Sequence, residues 1–184
     1  MAVLEVQLQG EHRLIEAAKA DPAAFGRLYD RHVDRIYNYV YHHVGNRADA
    51  EDLTAVVFQK AFEAIGRYRW QGVPFSDWLY RIAFNVVAGH FRRRRVEVPL
   101  PEAELVPAQG PSPEEAAEAG EERVLIMSLL RRLPLSQQEA LVLRYAQDLG
   151  ISEIARVMGR SEGAIKQLIH RGLQTLRDGL EWQQ

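Results

Sequence analysis

The sequence predicts an all-α protein: two small helical domains joined by an extended acidic linker. Three observations point there. Apolar residues recur at three- and four-residue spacing through most of the chain, and alternating strand patterns are almost absent. Five prolines (Pro99, Pro101, Pro107, Pro111 and Pro113) crowd residues 96–113, where no apolar period is sustained. Charge divides the chain at the same places: residues 1–95 carry +3, residues 96–122 carry −8 and residues 123–184 carry +3. The net charge of −2 thus hides two mildly basic modules around an anionic tether.

Within 1–95, a short helix over about residues 11–19 precedes three longer ones. Asp21-Pro22 starts the first of these, a carboxylate at the N-cap followed by proline at the first helical position. Phe25, Leu28, Tyr29, Val33, Ile36, Tyr37, Val40 and Val44 give its apolar stripe, and Gly45 stops it. The next helix turns Leu53, Val56, Val57, Ala61, Ala64 and Ile65 inward. Residues 66–75 form a loop punctuated by Gly66, Gly72 and Pro74. Ser76 is expected to cap a helix with Trp78, Leu79, Ile82, Ala83, Val86 and Val87 inside, running into Arg92–Arg95.

Residues 123–184 open with a helix carrying Val124, Leu125, Leu129 and Leu130 and ending near Leu133-Pro134. Ser136 and Glu139 suggest a capping box for the next, through Tyr145. Two helices follow, over about 152–158 and 162–178, around Gly159. This pair has helix-turn-helix spacing: Ile154, Ala155 and Met158 inward, a glycine at the turn, Ser161 as cap, then Ile165, Leu168, Ile169 and Leu176 inward. The register leaves Arg160, Glu162, Gly163, Lys166, Gln167, His170 and Arg171 outward. Such side chains suit base edges and phosphates in a major groove.

Two further surfaces stand out. Tyr68, Arg69, Trp70 and Phe75 interleave aromatics with cations in the 66–75 loop, a composition suited to bases that have left a duplex. Just beyond, Arg81, Asn85, Ala88, Arg92 and Arg95 form a basic and amide ridge opposite the apolar stripe; Trp78 itself reads as core. On the second long helix Glu51, Asp52, Ala55, Gln59 and Phe62 share the outer face, a carboxylate pair beside an exposed aromatic that suggests a partner contact.

The segments FGRLYDRHVDRIYNYVYHHVGNRADAEDLTAVVFQKAFEAI, FSDWLYRIAFNVVAGHFRRRR and LRRLPLSQQEALVLRYAQDLGISEIARVMGRSEGAIKQLIHRGLQTLR resemble, in that order, domains 2 and 4 of the extracytoplasmic-function (ECF) sigma factors of the sigma-70 family. The resemblance spans nearly the whole chain. It implies domain 2 at 1–95, the linker at 96–122 and domain 4 at 123–184. Asp49, Glu51, Asp52 and Gln59 match the face that docks on RNA polymerase core enzyme. The 66–75 loop matches the segment that captures a flipped base of the −10 promoter element. Arg81, Asn85, Arg92, Arg93, Arg94 and Arg95 match the part near that element's duplex and backbone. Arg160, Ser161 and the outward residues through Arg171 match the reader of the −35 element. The linker matches the segment threaded through the polymerase cleft. An anti-sigma partner is a further expectation of the class. Ala55, Gly172 and Val87-Ala88-Gly89 depart from its commoner patterns.

Other functions are narrowed by composition. The chain has no cysteine, which excludes disulfides and cysteine-ligated zinc. Its first residues lack the basic flank and apolar core of a signal peptide, and no apolar run approaches the roughly 18–20 residues of a membrane helix. A cytoplasmic protein without direct membrane insertion is expected. His42, His43, Asp49 and Glu51 lack the paired Glu-x-x-His arrangement of a bundle metal site. No catalytic residue, metal or cofactor is therefore expected. The alternative on residues alone is a stand-alone helix-turn-helix regulator that grips DNA without polymerase.

Overall fold

A computed structural model describes residues 2–97 and 120–181, and among these every regular element is helical. The order is α1 (Ala2–Ala18), α2 (Pro22–Val44), α3 (Arg47–Ala64), a 3₁₀ turn (Ile65–Arg67), α4 (Phe75–Glu97), α5 (Glu121–Arg132), α6 (Leu135–Leu141), a π-helical turn (Val142–Ala146), α7 (Ile151–Met158) and α8 (Glu162–Glu181). Residues 98–119, most of the expected acidic linker, lie outside the described residues, as does the side chain of Arg95.

Local chemistry accounts for most boundaries. Asp21 caps α2 by accepting the Ala23 N–H at 2.9 Å, with Pro22 filling the first turn. Gly45 closes the helix at φ +76°, returning its N–H to the Tyr41 carbonyl. Asn46 and Asp49 cap α3: the Asn46 carbonyl accepts the Asp49 N–H at 2.8 Å, and its amide donates to the Asp49 carboxylate at 2.8 Å. Ser161 caps α8 through the Ala164 N–H at 3.3 Å.

Three expectations are corrected. The first helix begins at Ala2, not near residue 11. Ser76 is not the cap of α4 but a buried residue inside it, because the helix starts at Phe75. The Ser136–Glu139 capping box does not form: α6 starts at Leu135 behind Pro134, with no side-chain cap. Glu139 is instead 1% exposed and bonded far from its own helix terminus.

Helices α1 to α4 enclose a core of Ile15, Leu28, Ile36, Val40, Val57, Phe75, Leu79 and Val87. Leu53, Val57, Ala61 and Ile65 are buried as expected, whereas Val56 is exposed. In the second module α6 packs on α8, and α7 on α8, around Leu141, Leu143, Ile154 and Ile165. Gly172 permits the first approach, since a Cβ there would lie 2.8 Å from the Leu141 Cδ1. The modules also pack on each other: α2 meets α5 and the π turn, and α4 meets α7. Sequence periodicity carries no signal for that contact.

Candidate functional site

The helix-turn-helix is formed as expected. Gly159 turns the chain at φ +63°, its N–H bonding the Ala155 carbonyl, a geometry glycine adopts at little cost. Ile165 and Ile169 anchor α8 inward. Arg160, Ser161, Glu162, Gly163, Lys166, Gln167, His170 and Arg171 are all exposed, so one helix face offers donors, an acceptor and cations together.

In the 66–75 loop the aromatics divide into two groups. Tyr68, Phe75 and Trp78 cluster, with ring centroids 4.7 Å (Tyr68–Trp78) to 5.5 Å (Tyr68–Phe75) apart. Beside them opens a cavity of about 270 Å³ whose lining includes Arg67, Tyr68, Arg69, Asp77, Trp78 and Arg81. Burial pushes the Tyr68 hydroxyl up to about 12, helped by the nearby Glu11 and Asp77 carboxylates, so it stays a neutral donor. Trp70 stands apart, stacked on His12 of α1 at 5.1 Å and 12°. Trp78, read from sequence as core, is only partly buried and walls the cavity. Asp77, Arg67, Gln71 and Val73 are lining residues that periodicity does not single out; Asp77 sits in the first turn of α4 with its N–H on the Pro74 carbonyl.

Glu11 holds α1 over this loop. Its carboxylate accepts the Phe75 N–H at 2.9 Å and lies 3.2 Å from His32 Nε2. Burial raises this carboxyl, but the hydrogen bonds from His32 and Phe75 outweigh it and leave it below the usual carboxylate range.

On α3, Glu51, Asp52, Ala55, Gln59 and Phe62 are exposed. Phe62 is 46% exposed and packs edge-on against Phe25, while Val56 and Tyr29 continue the apolar surface. Asp49 does not join that face. Besides Asn46, its carboxylate meets Arg94 Nη1 at 3.4 Å and His90 Nε2 at 3.7 Å, fastening α3 to the basic end of α4. Arg81, Asn85, Arg92 and Arg93 are exposed along α4; Arg94 is half-buried by its bond to Asp49. Among the described residues no group of three potential metal ligands comes together, and no helix is long and apolar enough to cross a membrane.

Residues 28–97 match the family model for sigma-70 region 2, and residues 123–176 that for sigma-70 region 4. The chain is 30% identical over 186 residues to the ECF RNA polymerase sigma factor SigW of Bacillus subtilis, covering 95% of this chain and 98% of the relative. The chain belongs to the ECF sigma factors. It is also 43% identical over 166 residues to the ECF sigma factor BldN of Streptomyces coelicolor, a match covering 89% of this chain but 63% of the relative, less than two thirds of its length. The fold is similar to that of the sigma factor RpoE of Bartonella quintana, solved with the anti-sigma factor NepR: TM-score 0.70 at 21% identity, over 85% of this chain and 96% of that one.

In this sigma factor the two modules meet through buried polar groups. Tyr39 donates its hydroxyl to Glu139 Oε2, and His43 Nε2 lies 3.1 Å from the same oxygen. His43 Nδ1 donates to the Tyr39 carbonyl at 2.8 Å, which orients the ring. Tyr80 donates to Gln147 Oε1 at 2.9 Å. At the exposed margin Arg81 Nη2 donates to the Arg156 carbonyl at 2.5 Å, and the Arg156 guanidinium meets Asp77 Oδ2 at 3.3 Å. Arg81, Asn85 and Arg160, drawn from both modules, line one cleft of about 360 Å³.

Proposed function

We propose that the chain is an alternative sigma factor that binds RNA polymerase core enzyme, recognises −35 and −10 promoter elements and promotes DNA strand opening. One observation carries it: an exposed helix-turn-helix reading face shares a single chain with a cation-lined aromatic cavity. The first suits duplex DNA, the second a base that has left the duplex. A stand-alone regulator needs the first and has no use for the second.

The proposed division places domain 2 at residues 1–95, the acidic linker at 96–122 and domain 4 at 123–184. Arg160 through Arg171 read the −35 element. Tyr68, Arg69 and Trp78 hold an extruded −10 base, with Trp70 positioned on His12 beside them. Arg81, Asn85 and Arg92–Arg95 follow the −10 backbone. Glu51, Asp52, Gln59 and Phe62 dock on the core enzyme, and Asp49 shapes that surface by bracing α3. Captured bases hold the opened strand, so binding energy drives opening and the sigma factor needs no catalytic residue. It would act in the cytoplasm, where the polymerase is, and class membership adds an anti-sigma partner.

Purified core enzyme should start transcription at a defined set of promoters only when this protein is added. Unchanged start sites with and without it would overturn the assignment.

A further inference from the structure

The cavity beside the 66–75 loop has an unusual charge arrangement. Three arginines (Arg67, Arg69 and Arg81) line it, and Asp77 is the one carboxylate among its lining residues. Phosphate oxygens have partners in the arginines. An ionised carboxylate only accepts hydrogen bonds, so a phosphate would avoid it, and within a DNA strand its partners are the N–H donors of the bases. Asp77 is 4% exposed, so a ligand that displaced its present partner without offering a donor would leave a buried acceptor unmet. Tyr68 and Trp78, aromatic walls suited to a stacked base, share this lining with the Asp77 carboxylate.

A donor already occupies this position. Arg156 of α7 reaches across from the other module and places Nε and Nη2 each 3.3 Å from Asp77 Oδ2. Burial pushes the Asp77 carboxyl above its usual range, with the Arg156 guanidinium opposing that rise. The guanidinium supplies the kind of N–H that an exocyclic amine would supply. Adenine, cytosine and guanine each carry such an amine; thymine does not, and it flanks its one ring N–H with two carbonyl oxygens.

We propose that Asp77 is a base-reading residue: its carboxylate accepts from the exocyclic amine of an extruded adenine, cytosine or guanine and rejects thymine, and Arg156 fills that place until the strand arrives. This rests on the loop capturing a flipped base, as proposed above, and adds both the residue that discriminates and its internal competitor. In the closed free chain, entry of the base displaces Arg156, so reading at this cavity and separation of the modules favour each other.

The test uses the full chain, free and as holoenzyme with purified core enzyme, and a pool of single-stranded DNA oligonucleotides randomised over ten consecutive positions. Retained strands are sequenced. Wild-type holoenzyme should deplete thymine at one position by about tenfold, the scale of one well-formed base contact. Asp77→Asn, whose amide also donates to thymine, and Asp77→Ala should both abolish that depletion. Unfolding temperatures verify that each variant folds, and the near-isosteric Asp77→Asn keeps the test decisive should Asp77→Ala not fold. Arg156→Ala should raise retention by the free chain several-fold and leave the base ranking intact. Thymine depletion that survives both Asp77 variants, or is absent from wild type, overturns the assignment. Unchanged retention in Arg156→Ala overturns the competitor role. If Tyr68→Ala retains the pool as wild type does, base capture by the loop falls too. Loss of retention in Tyr68→Ala with an Asp77-independent ranking removes only the Asp77 reader.

Discussion

Glu11 ties the N-terminal helix to the loop, alongside the buried Leu14, Ile15 and Ala18. Replacing it with alanine leaves the Phe75 N–H without its acceptor and His32 without its partner. The expected loss is about 1–3 kcal/mol of unfolding free energy, measured by urea titration. The pH sign follows from its lowered carboxyl. In acid the unfolded chain takes up this proton before the folded one, so the stabilisation is present above the usual carboxylate range and fades as pH falls through the folded value. Glu11→Gln should therefore flatten the acid limb of the stability profile; an unaltered limb would exclude that linkage. At this scale the outward face of α8 is legible from sequence, because burying Ile165 and Ile169 forces Lys166, Gln167, His170 and Arg171 outward. Asp77 and Glu139 are not, because their partners lie 79 and about 100 residues away. The partners of Asp49 are hidden for the same reason: Arg94 and His90 belong to another helix.

Helix ends separate local from tertiary information. Asp21, Gly45 and Ser161 could be read from sequence because their bonding partners lie within four residues. Asp21→Ala should cost about 0.5–2 kcal/mol, seen as a lowered melting temperature. Gly45 carries a second constraint. A Cβ there would fall 1.9 Å from Arg131 Nη1, and φ is +76°. Gly45→Ala should thus exceed the roughly 1–2 kcal/mol of a left-handed alanine, and Arg131→Ala in the same chain should recover part of the loss. No recovery would mean that backbone strain alone sets the cost. Ser136 shows the limit of local signals. Its S-x-x-E string is a sound capping box until α2 supplies Tyr39 and His43, which draw Glu139 away from the helix terminus.

At the scale of the molecule the packed arrangement does not suit the proposed reading of two promoter elements. Elements named −35 and −10 are centred about 25 nucleotides apart, roughly 85 Å along the duplex at about 3.4 Å each. Yet Arg81 of α4 bonds the Arg156 carbonyl of α7, and Arg81, Asn85 and Arg160, all proposed to face DNA, line one cleft. For that reading the modules must separate, and they are held closed by buried polar groups set among apolar contacts of one continuous core. Polar contacts between modules trade readily for water once the buried groups are exposed together. Glu139 is the centre of that contact, since its loss strands both the Tyr39 hydroxyl and His43 Nε2 at a buried junction. Glu139→Ala should lower stability by about 1–3 kcal/mol. Combined with Arg156→Ala it should also shift the free protein towards the separated form, read as a larger radius of gyration in small-angle X-ray scattering. Core enzyme binding should then be faster than for wild type, because opening no longer precedes docking. If the double variant scatters as wild type does, the apolar contacts of α2 with the π turn, and not the buried carboxylate, hold the modules together.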